Sequence, residues 1–111
     1  MFKAGQGVFG KVRFTDGIMP DYSRPYLIVE ACDEEIKVLN VSSLYGKEEK
    51  LLMPYNKKIF NFKPPFIKPS FVKLDSLCSV NSDEWCHLKL LDDGKTLDDT
   101  EFKEIKGKIK K

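Results

Sequence analysis

Nowhere does this chain offer the roughly 20 consecutive apolar residues that a membrane-spanning helix needs. Its first residues, Met1-Phe2-Lys3-Ala4-Gly5-Gln6-Gly7, hold no apolar stretch of the kind a secretory signal carries. A cytoplasmic location without membrane contact is expected. Cysteine is sparse: Cys32, Cys78 and Cys86 are odd in number, widely spaced and without a C-x2-C pair. That is a poor framework for disulfides or for a metal, so buried thiols and no cofactor are expected. One histidine, His87, and two arginines, Arg13 and Arg24, leave few obvious bearers of chemistry. An excess of one charge is missing too: 19 basic against 17 acidic residues give +2. Such a balance permits a local nucleic-acid patch but does not announce one.

What is present describes one folded domain, 1–111. The chain is 41% hydrophobic and 32% charged, which excludes a disordered polymer, and 111 residues suffice for a single core. Alternation of Val12 and Phe14 against Lys11, Arg13 and Thr15 predicts a strand over 9–15. Pro25 opens a second, central strand over 26–31, and 36–43 reads as a third ending in Ser42 and Ser43. A fourth is expected over 50–53 and a short edge over 59–62, inside a segment where Pro54, Pro64, Pro65 and Pro69 forbid a regular central strand. Residues 70–76 alternate again, Phe71, Lys73 and Asp75 against Val72 and Leu74. A helical turn is expected over 82–87. The closing helix starts at Asp98 or Asp99, with Phe102, Ile105 and Ile109 as its apolar stripe and lysines toward its end. The expected fold is mostly β: a small barrel or open sheet of short strands with one C-terminal helix.

Four features in order resemble the PemK/MazF toxin family. A strand and loop over 10–16 lead to Ser23-Arg24-Pro25-Tyr26-Leu27-Ile28-Val29, and Val38-Leu39-Asn40-Val41-Ser42-Ser43 ends a strand in hydroxyls. Residues 68–80 look like the family's late strand with its following Asp and turn, and Leu97-Asp98-Asp99 introduces the last helix. The resemblance implies an SH3-like barrel, usually a homodimer, that cuts single-stranded RNA without a metal and is neutralised by an antitoxin protein. It sets Arg24 at the family's catalytic arginine and Ser42 at a catalytic threonine. The loop before the arginine, Gly17-Ile18-Met19-Pro20-Asp21-Tyr22-Ser23, departs from the family's pattern, and with it the base preference.

The residue types fit that chemistry. When a 2′-hydroxyl attacks the adjacent phosphorus, charge builds on the phosphoryl oxygens, and a planar, permanently cationic guanidinium suits it. Arg24 is the candidate catalytic residue with Ser42, and Asp16 or Asp21 is the candidate general base. Tyr22, Ser43, Lys57 and Lys58 are candidate RNA contacts, the two lysines from a segment over 54–69 that interleaves Tyr55, Phe60, Phe62 and Phe66 with Lys57, Lys58, Lys63 and Lys68 and so suits single strands. Bland readings stand beside these: an arginine held by a carboxylate, a serine satisfying backbone, phenylalanines filling a core. Two other functions share the architecture. One is a non-catalytic module of CcdB-like type that binds a protein such as gyrase, and the other is a plain RNA-binding barrel.

Overall fold

The computed structural model describes residues 2–13, 17–59, 66 and 69–109. Asp16 of the sequence reading lies outside them, as do Phe60, Phe62, Lys63 and Lys68. Seven strands, all paired antiparallel, and one main helix follow one another: β1 Gly7–Gly10, β2 Arg24–Ala31, β3 Glu35–Ser43, β4 Asn56–Ile59, β5 Ser70–Lys73, β6 Cys78–Asn81, β7 Leu88–Leu90 and α1 Asp99–Gly107. The mostly β architecture with a terminal helix is as expected. The strands run in the order β4-β5-β3-β2-β1-β7, with β6 beside β3, and β4 and β7 do not join among the described residues.

The centre is the pair β2 and β3, whose residues are buried on both sides. Leu27 and Val29 alternate with Tyr26 and Ile28, and Leu39 and Val41 alternate with Ile36 and Val38. Continuous apolar runs of this kind belong to strands covered on both faces. One face carries Leu27, Leu39, Val41, Val72 and Leu97 under Ile105 of α1. The other packs Val8, Tyr26, Ile28, Val38, Val80 and Leu88, with Phe2 and Trp85 against them. A bulge between Ile28 and Glu30 shifts the register, and beyond it Glu30 faces Lys37 at 3.5 Å.

On its other edge β3 has two successive partners. Residues 35–38 pair with β6 and 41–43 with β5. Asn40 falls in the gap, and its backbone N–H donates to Ser76 Oγ at 2.8 Å, while that hydroxyl donates to the Lys73 carbonyl at 2.6 Å. A side chain thus completes the ladder that no strand completes.

Several local expectations are corrected. The first strand ends at Gly10 rather than running to 15. There β1 approaches β7 so closely that a Cβ would collide with the His87 carbonyl. Beyond it Arg13 serves a loop, donating to Glu84 and to the Gly17 carbonyl. Glu48–Leu52 is a 3-10 turn, not a strand; Asn56–Ile59 is an edge strand, and of the edge expected over 59–62 only Ile59 lies among the described residues. The turn over Ser82–His87 and the helix cap are as read: Asp98 accepts from Glu101 N at 3.2 Å. Cys32 and Cys86 are exposed, against the expectation of buried thiols, and Cys78 is half-buried.

Candidate functional site

Antiparallel register decides which side chains meet. Tyr26 faces Asn40 at the end of the paired stretch of β2 and β3, with Arg24 two residues before Tyr26 and Ser42 two beyond Asn40. Ser42 in turn faces Phe71 of β5, which faces Lys58 of β4. Facing residues share one side of a sheet. Arg24, Tyr26, Asn40, Ser42, Lys58 and Lys73 therefore lie on one face, opposite α1.

Two hollows open on that face. One, of about 250 Å³, is lined by Arg13, Arg24, Tyr26, Asn40 and Cys78 among others. The second, of about 240 Å³, is lined by Ser42, Lys47, Lys50, Tyr55 and Phe71 among others. Lys73 and Asp75 belong to both, so the hollows form one groove. A third hollow continues past Arg13 and Cys78 toward Asp83 and Glu84. Neither of the two joined hollows is enclosed. The shape suits a strand laid across a surface better than an enclosed metabolite.

Electrostatics concentrate at Lys73. Its ammonium is held below the usual lysine range by burial first, then by the charges of Arg24 and Lys47, with a smaller contribution from Lys50; Asp75 opposes the shift. Three cations thus act on a fourth, with one carboxylate beside them. Arg24 donates from Nη2 to Tyr22 Oη at 2.7 Å, and its Cζ stands 4.6 Å from that ring's centre. Beneath it, the Tyr26 phenol is pushed up mainly by burial, with the Arg24 charge and the polar groups of Asn40 and the Val12 backbone opposing the shift. It remains a neutral hydroxyl at ordinary pH. Burial also pushes up the Cys78 thiol, which leaves it a poor nucleophile. Ser42 Oγ accepts a long hydrogen bond, 3.4 Å, from Lys47 Nζ.

The residues singled out from sequence divide accordingly. Arg24, Ser42 and Tyr22 meet at or beside the groove, and Lys58 shares its face. Lys57 does not: it alternates to the other side, is only 8% exposed and pairs with Glu104 of α1 at 3.4 Å. Ser43 is also turned to the other side, and its Oγ accepts from Tyr45 N. Asp21 is exposed in the loop before β2 and lines none of the three hollows. His87 is exposed at the end of its turn, away from them.

Sequence reasoning passed over Lys73, Asp75, Lys47 and Lys50. The alternation of 71–76 put Lys73 and Asp75 on one side, which was the available signal. No helix among the described residues is long and apolar enough to cross a membrane. No protein-family model matches the chain, and no curated protein matches it either.

Proposed function

We propose that the chain is an endoribonuclease that cuts single-stranded RNA within this groove, by a metal-free route as its PemK/MazF-like motifs imply. The observation that carries the reading is the convergence of Arg24, Lys73, Lys47 and Lys50 with the Ser42 hydroxyl and the Asp75 carboxylate on one open groove. An RNA backbone brings one negative charge per nucleotide, and cations at the ends of β2 and β5 and on the 3-10 turn answer it. The 2′-oxygen attacks the neighbouring phosphorus and the 5′-oxygen leaves, taking a proton from solvent water, to give a cyclic phosphate and a 5′-hydroxyl. Asp75, which lines both hollows, is assigned to take the 2′-hydroxyl proton. Arg24 and Lys73 balance the charge that grows on the phosphoryl oxygens, and Ser42 donates to one of them. An antitoxin protein covering the groove, homodimer formation and a cytoplasmic setting belong to the same proposal.

The test is incubation of the purified protein with a long mixed-sequence RNA in EDTA, beside Arg24→Ala. Discrete fragments with cyclic-phosphate or phosphate 3′ ends are expected. The variant should cut about 10²–10³-fold more slowly, the loss typical of a preorganised charge-stabilising donor. Intact RNA from a folded wild-type protein overturns the reading in favour of a non-catalytic module with a protein target.

A further inference from the structure

We infer that Tyr22 is a positioning residue for Arg24, whose ring and hydroxyl together hold the guanidinium in the attitude that a phosphate at the groove needs. The inference rests on the RNA-cleavage reading and goes beyond it, because it assigns Tyr22 to the arginine and not to the nucleic acid. Tyr22 is 60% exposed and belongs to neither hydrophobic cluster. Core packing therefore does not account for where its ring lies. What the ring does meet is Arg24, twice: beneath the guanidinium carbon at 4.6 Å and through Oη at 2.7 Å from Nη2.

Either contact alone leaves freedom. A cation over a ring slides and turns in its plane, and a single hydrogen bond lets the group pivot. Both together fix the plane and the direction within it. A guanidinium delivers two parallel hydrogen bonds only when its fork faces the phosphate, so its orientation sets its effect on the transition state. The opposite wall is already fixed, since Tyr26 is buried in a paired strand facing Asn40. Tyr22 supplies the wall on the solvent side.

The experiment compares wild type, Tyr22→Phe and Tyr22→Ala in cleavage kinetics and in nitrogen-15 NMR of the Arg24 side chain. With Arg13 the only other arginine, Arg13→Lys assigns the signals. Tyr22→Phe should lower kcat roughly fivefold and Tyr22→Ala roughly thirtyfold, with KM changed less than about twofold. Rotation of the Arg24 Nη groups should be slow in wild type and fast in Tyr22→Phe. A silent Tyr22→Phe with a raised KM in Tyr22→Ala would show the ring stacking on RNA and overturn the inference. So would unchanged Arg24 rotation or unchanged kcat in both variants. If wild type leaves all RNA intact, the cleavage reading falls, while the NMR comparison still decides whether Tyr22 holds Arg24.

Discussion

Lys73 is the residue on which the groove's electrostatics turn. It ends β5, half-buried, and its ammonium is disfavoured by its burial and by the cations around it. The sign follows directly: a base with a lowered pKa loses its proton at a pH where ordinary lysines keep theirs, and a bound phosphate reverses part of the shift. Affinity for an uncleavable 2′-deoxy oligonucleotide should therefore fall as pH rises through that lowered value. Lys73→Arg, charged throughout, should flatten the fall. Fluorescence anisotropy at constant salt reads this, and superimposable curves would remove Lys73 from phosphate contact. Arg24 stands out in the sequence because the chain has only two arginines and the PemK/MazF-like order of motifs selects this one. Lys73 does not, because a lysine alternating in a strand looks like any solvated face. Only pairing with β3, over thirty residues away in the chain, sets it beside Arg24.

At the scale of elements, the exchange of partners along β3 is the feature that shapes the site. The strand passes from β6 to β5 within a few residues, and Ser76 bridges the gap. Ser76→Ala leaves the Asn40 N–H without its acceptor and frees the turn that carries Asp75. It should cost about 1–3 kcal/mol, measurable as a shift in the urea midpoint without a change in slope. A loss under about 0.5 kcal/mol would mean that water replaces the hydroxyl. The strands β2 and β3 were readable from their apolar, β-branched runs, and α1 from its cap and stripe. The strands β6 and β7 were not: four and three residues long, they owe their conformation to an edge that β3 and β1 offer them. Serine 76 likewise read as the tail of a strand, since its work depends on a gap elsewhere.

At the scale of the molecule, the sheet separates two apolar layers, one under α1 and one behind the groove. The helix is fastened by Ile105 and by the pair from Lys57 to Glu104, and the neighbouring lysine draws the Glu104 carboxyl below the usual carboxylate range. Its pKa is lower in the folded than in the unfolded chain. The stability it contributes is thus present above the unfolded value and lost as pH falls through the folded one. Glu104→Gln should lower Tm at pH 7, and the gap to wild type should close on acidification toward pH 3. A gap independent of pH would show that the pair contributes nothing. The same layering sets how substitutions combine. Leu27 and Ile28 are covalent neighbours yet sit in different layers, while Leu27 and Ile105 share one across most of the chain's length. Epistasis in this protein will follow the layers and not the sequence.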